Sequence, residues 1–221
     1  MTTHALRDQT VAEIAIRLAG ATSVFRRREI DVCDCADVPL AEAAAAQGLD
    51  IAELEAALAA LGDAPSGAPQ DTPGLVHHIL TRFHDTHRRE LPELAELARR
   101  VEAAHPEHPL APRGLADLLQ RALVELGDHM AKEEQVLFPA MQAGYRGSLE
   151  MPIRVMRHEH EAHADLLRAL EHLTRGFAAP EDACPSWRAL YVGAQKFAAD
   201  LAEHLNLENN VLFPRFERRR S

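Results

Sequence analysis

The sequence predicts an all-α protein, an antiparallel four-helix bundle preceded by a small helical domain. Three observations carry that prediction. Alanine and leucine dominate the long runs and aromatic residues make up only 5% of the 221-residue chain, which favours helix over strand. A stretch rich in proline, glycine, serine and aspartate, "GDAPSGAPQDTPG" from Gly62 to Gly74, separates three short helical patterns from four long ones. Finally, eleven letters are written nearly twice, "HMAKEEQVLFP" from His129 and "HLNLENNVLFP" from His204.

The expected organisation is a small domain over residues 1–62, a linker over 63–74 and the bundle over 75–221. In the small domain, a helix from about Thr10 to Arg28 carries Val11, Ile14, Leu18 and Phe25 as its apolar positions. A second, "LAEAAAAQG", is entered after Pro39 and closed by Gly48. A third opens with Asp50 and Glu53 in capping-box spacing and ends at Gly62. Past the linker, Thr72 reads as an N-cap with Pro73 at the first helical position, opening a helix to about Ala104. "HPEHPLAPRG" breaks the chain before a second helix from Leu115 to Ala143, and "GYRGSLEMP" follows. The third runs from near Pro152 to Gly176, and the fourth from about Trp187 to Pro214. Helices of ~25 residues are each ~35–40 Å long, and four of them with short connections pack naturally as an antiparallel bundle.

Composition removes several classes of function. Acidic residues outnumber basic ones by 34 to 24, which argues against a nucleic-acid backbone as partner. The closing "RFERRR" is a short basic tail and reads as a solvated helix end. Three cysteines, Cys33, Cys35 and Cys184, make no disulfide framework and suit a reducing compartment. The N-terminal twenty residues lack a basic start followed by an apolar core, and no run approaches the ~18 apolar residues of a membrane span. A soluble cytoplasmic protein without membrane partners is the default expectation. The abnormal count is thirteen histidines.

The repeat extends beyond the two quoted phrases. His84 lies 45 residues before His129 and opens "HDTH"; His160 lies 44 before His204 and opens "HEAH". Each half therefore reads HxxH on one helix and HxxxE…LFP on the next. Two such hairpins placed face to face bring four histidines and two glutamates to the centre of a bundle. His129 and Glu133 share a helical stripe with Leu126, Val136 and Leu137, and His204 and Glu208 share one with Leu201, Val211 and Leu212. Polar groups written into apolar stripes are expensive unless something compensates them, and a metal does so. Imidazoles and carboxylates without thiolate exclude a Cys-rich structural zinc site. Two carboxylates can bridge two cations, leaving two imidazoles for each, and that stoichiometry fits a non-haem di-iron or di-manganese centre. The ferritin-like pattern, Glu-x-x-His with more carboxylates, fits less well.

A single HxxxE on an alanine-rich helix is ordinarily an exposed polar pair; two copies with the same following LFP are not. Spacing does not choose between His84 and His87, or between His160 and His163, because i and i+3 can face the same way. His77, His78, His108, His158 and His172 read as surface or packing residues, and Cys184 as incidental. His105, 21 residues after His84, lies ~30 Å away on a continuous helix and is left out.

These stretches, with "RFHDTHRRELPEL" and "MRHEHEAHADLL", resemble the hemerythrin-like domain of the iron–sulfur cluster repair di-iron proteins, the RIC (repair of iron centres) family. The resemblance covers almost the whole chain, since "VFRRREIDVCDCADVPLAEAAAAQGLD" resembles the family's ScdA-type N-terminal domain. It implies two non-haem irons joined by a bridging oxygen, with His84, His129, His160 and His204 as nitrogen ligands and Glu133 and Glu208 as bridging carboxylates. Glu125 and Glu159 match acidic positions that tune the centre or pass iron. One departure matters. The family carries adjacent cysteines followed by glycines, whereas this chain reads Cys33-Asp34-Cys35 without them, so a role for Cys33 and Cys35 in redox or transient metal binding loses its vicinal pair.

The resemblance implies repair of clusters damaged by nitric oxide or peroxide, through iron supplied to iron–sulfur proteins or their assembly machinery. The runner-up is capture of nitric oxide or oxygen at the centre, as a scavenger, carrier or sensor. Reduction of nitric oxide ranks third, because no flavin or nicotinamide motif supplies electrons, and a purely structural bundle last. A homodimer through the N-terminal domain is left open.

Overall fold

Helix is the only extended regular structure among the residues that the computed structural model describes, 5–18, 21–32, 35–59, 69–144 and 148–217. The expected all-α class is therefore observed. The chain forms two compact units, Met1–Leu75 with Ala202–Ser221, and Val76–Leu201.

In the first unit a 3₁₀ turn over Leu6–Asp8 leads into α1 (Val11–Arg17), α2 (Ala21–Arg27), α3 (Leu40–Ala46) and α4 (Ile51–Ala59). Thr10 caps α1 in a reciprocal box: its hydroxyl accepts from the Glu13 N–H at 3.2 Å, and the Glu13 carboxylate accepts from the Thr10 N–H at 2.9 Å. The single helix expected over residues 10–28 is two. Leu18 turns extended at φ −106°, ψ 109°, ending α1 two residues before Gly20, the weakest helix former of that run. Both halves still feed one core, in which Val11, Ile14, Leu18, Ala21, Val24 and Phe25 meet Leu40, Leu54 and Leu58. Each fully buried leucine contributes roughly 1.5–3 kcal/mol there.

α3 closes as expected at Gly48, whose φ of +65° an L side chain resists, with Leu49 N–H returning to Ala44 C=O at 2.9 Å. Asp50 caps α4 by accepting from the Ala52 N–H at 2.7 Å. The expected end of that helix at Gly62 and the first half of the linker lie outside the described residues, as do Cys33, the Tyr145–Gly147 stretch and the basic residues 218–220.

The cap of the next helix sits one residue earlier than expected. Asp71, not Thr72, accepts from the Gly74 N–H at 2.7 Å, so Thr72 opens α5 (Thr72–Ile79). A Cβ on Gly74 would come within 2.8 Å of Pro69 Cβ, so this turn requires glycine. A π turn over Leu80–His84 joins α5 to α6 (Asp85–Ala104). Then follow α7 (Leu115–Lys132), a second π turn (Glu133–Leu137) and α8 (Phe138–Gln142). α9 (Glu150–Leu173) precedes α10 (Pro185–Leu207), which runs into a third π turn (Glu208–Leu212) and a 3₁₀ turn (Phe213–Arg215).

Side-chain contacts show neighbouring helices running antiparallel. α6 meets α7 through Glu102 with the Ala116 N–H and Arg99 with Gln120, and the π turns beside them meet through His84 with Glu134. α6 meets α10 through Glu90 with Lys196, flanked by Arg82 of the preceding π turn with Asp200 and by His105, just past the end of α6, with Trp187. α7 meets α9 at Lys132–Glu159 and His129–His160. No described helix is long and apolar enough to cross a membrane.

The Leu-Phe-Pro repeat accounts for two of the π turns. Pro139 and Pro214 have no N–H to give the carbonyl four residues back, and the preceding phenylalanine reaches one residue further than in an α-helix. Phe138 N–H bonds Glu133 C=O, and Phe213 N–H bonds Glu208 C=O. Both glutamates thus sit where the helix bulges.

Candidate metal centre

His84 ends the first π turn, Glu133 and Glu208 open the other two, and His129 and His204 lie one turn earlier on α7 and α10. His160 comes from the middle of α9. All six are buried, His84, Glu133, His204 and Glu208 completely. Ligand atoms of His84, Glu133, His204 and Glu208 lie within 4.8 Å of one another, as do those of His129, Glu133, His160 and Glu208. Both glutamates belong to both groups.

The distances within these groups suit a cation. His129 Nε2 and His160 Nε2 are 3.1 Å apart. That is the separation of two imidazoles on one ion at ~2.1 Å each with a near-right angle between them. His129 Nε2 and His84 Nε2 each lie 3.4 Å from one oxygen of Glu133, and His204 Nε2 lies 3.0 Å from Glu208 Oε1.

A second layer sets which nitrogen faces inward. His84 Nδ1 is 2.8 Å from Glu134 Oε1, and the same oxygen is 2.7 Å from Arg88. His129 Nδ1 is 2.8 Å from Glu159 Oε2, whose other oxygen is 2.5 Å from Lys132 Nζ. An ionised carboxylate only accepts, so each Nδ1 carries the proton and each Nε2 presents its lone pair to the interior. Arg88 and Lys132 pair with the outer carboxylates and reach solvent at 43% and 51% exposure.

Glu159 thus touches a histidine of the centre, whereas Glu125 is exposed on α7 and belongs to neither group. His87 packs against Phe197 with ring centroids 5.4 Å apart, and His163 stands edge-on to His129 at 4.8 Å; both are buried and neither joins a group. His77, His158 and His172 are exposed. His78 is half-buried against Phe83; burial, with Arg82 and His77 adding to it, lowers its pKa. His105 and His108 lie beyond the C-terminal end of α6 with Cys184 and Asp182. Cys35 is half-buried in the turn before α3. Glu134 escaped the sequence reading, for its partner His84 is 50 residues away and no local spacing links them.

Helical bundle and buried donor set together define a class: a metal-binding protein with mixed imidazole and carboxylate ligation. Comparison with known proteins narrows it. The Hemerythrin HHE cation binding domain matches residues 75–216, and the ScdA N-terminal domain, described as a domain of unknown function, matches residues 7–62. The chain is 44% identical over 213 residues to the iron-sulfur cluster repair protein YtfE of Yersinia pseudotuberculosis serotype IB (strain PB1/+), covering 95% of this chain and 96% of that one. The YtfE protein of Yersinia pestis (strain Pestoides F) matches with the same identity and coverage. The chain belongs to this family of iron–sulfur cluster repair proteins, which join an ScdA-type N-terminal domain to a hemerythrin-like domain. Family and buried cluster together support metal binding, with iron as the metal that the hemerythrin type favours.

Proposed function

We propose that this protein supports the repair of damaged iron–sulfur clusters by supplying iron from a labile di-iron centre. The observation that carries the reading is the sharing of Glu133 and Glu208 by two groups, each with its own pair of histidines. In this reading His84 and His204 would hold one iron and His129 and His160 the other, with Glu133 and Glu208 available to both. When bound, the iron is cargo as well as a redox-active ligand site. Glu134 and Glu159 hold the imidazole protons of His84 and His129 away from it, and with Arg88 and Lys132 they form a polar path from those two histidines to solvent. The acceptors are cytoplasmic iron–sulfur proteins or the machinery that assembles them, consistent with relatives that bear the repair name.

The test is recovery of a cluster enzyme inactivated by nitric oxide or peroxide, incubated with the iron-loaded protein. Recovery is expected with the native chain and not with Glu133→Leu; equal recovery with both sinks the proposal.

A second reading is capture of nitric oxide or oxygen. Each group offers four ligand atoms, fewer than the six positions of an octahedral ion, which leaves room for a small molecule. Titration of the loaded protein with nitric oxide separates the two. Retention of both irons with a stable spectral change favours capture, and departure of iron favours supply.

A further inference from the structure

The far end of the bundle from the metal centre carries a second cluster of reactive side chains. It forms where the turn after α6 meets the turn before α10. His105 Nε2 lies 3.2 Å from Cys184 Sγ, across 79 residues of sequence. Beside it, His108 Nδ1 accepts from the Leu110 N–H at 3.1 Å, so Nε2 carries the proton and donates to Asp182 Oδ2 at 3.1 Å. That hydrogen bond holds the Asp182 carboxyl below its ordinary value. The fully buried indole of Trp187 packs against both imidazoles, with centroids 5.0 Å from His105 and 5.1 Å from His108. The His105 ring therefore has the indole packed against it while its Nε2 meets the sulfur.

A thiol with a base in hydrogen-bond reach is the core of an activated nucleophile, and here the base packs against a buried indole. Cys184 is a free thiol and only half-buried. We propose that Cys184 and His105 form a peroxide-reactive thiol–imidazole dyad, a modification site separate from the metal centre. His105 Nε2 takes the thiol proton, and the thiolate attacks one oxygen of hydrogen peroxide. The S–O bond forms as the O–O bond breaks, sulfur losing two electrons and the peroxide gaining them. The departing hydroxide takes the proton back from His105 and leaves as water, so thiol and peroxide become sulfenic acid and water. Nothing in the step passes through the metal site.

The experiment treats the full chain with one equivalent of hydrogen peroxide in the presence of dimedone, which traps sulfenic acid, and maps the label by peptide mass. Cys184 is expected to label at least about tenfold faster than in His105→Ala, as the loss of a positioned base implies. Added imidazole is expected to restore much of that rate in His105→Ala, and Cys184→Ser is expected to lose the label. His105→Gln keeps the side chain's bulk, and fluorescence from Trp187, the one tryptophan of the chain, reports whether the packing survives. Labelling of Cys184 no faster than Cys35, or a rate unchanged in both His105 variants with Trp187 undisturbed, overturns the proposal.

Discussion

Residues 129–139 and 204–214 spell one pattern, and both pass through a π turn closed from a phenylalanine N–H to the glutamate carbonyl. Their surroundings differ. In the first copy Lys132, Gln135 and Val136 are exposed and Glu134 is partly so. In the second, the matching Leu207 and Asn209 are buried and Asn210 and Val211 half-buried, because α1 packs against that π turn. The letters that repeat set the backbone and aim the inner donors. The letters that do not repeat decide whether the outer side is a polar, solvent-facing layer or part of a core. One motif therefore serves two environments, and only the first copy supplies an outer carboxylate, Glu134, to a histidine of the centre.

Removing the shared part should have the largest effect. Glu133 belongs to both groups, so Glu133→Leu is expected to lose both metals, while His84→Leu and His160→Leu, each in one group, lose one. Elemental analysis of anaerobically purified protein counts them. Next comes exchange of a non-repeated letter. Leu207→Lys sets a charge where the native side chain is 1% exposed, and is expected to destabilise the fold by about 3 kcal/mol or more in denaturant unfolding.

Smaller effects sharpen the comparison at the outer layer. Glu134→Ala removes the acceptor on His84 Nδ1 and should weaken metal binding in that group by about 10–100-fold, read by competition with a chelator. Glu159→Ala should do the same for the group of His129, so the two variants together tell the groups apart. The mildest change is the reverse exchange, Lys132→Leu. At 51% exposure it should alter stability by less than about 0.5 kcal/mol, with its effect confined to faster metal loss past Glu159. A stability loss as large as that of Leu207→Lys would erase the distinction between the copies.

Local rules made much of the architecture legible. The 3.6-residue period, the Pro39 and Gly48 boundaries of α3 and the Asp50 cap all act within a turn or two of chain, and the structure follows them. Where two local signals compete, the boundary moves by one residue: Asp71 takes the cap from Thr72 because its carboxylate reaches the Gly74 N–H. The break after α1 leaves no local signal in periodicity, since the apolar stripe from Val11 to Phe25 continues across it.

By itself the sequence determined a helical protein with two matching hairpins and a set of histidines and glutamates written into apolar stripes. It could do so because helix periodicity is a property of neighbours three and four residues apart. Tertiary structure decided the rest: His84 and His160 enter the groups while His87 and His163 pack beside them, Glu134 reaches His84, and His105 finds Cys184. Those pairings join residues 50 and 79 apart, and a distance between helices depends on how faces pack, which no local spacing encodes.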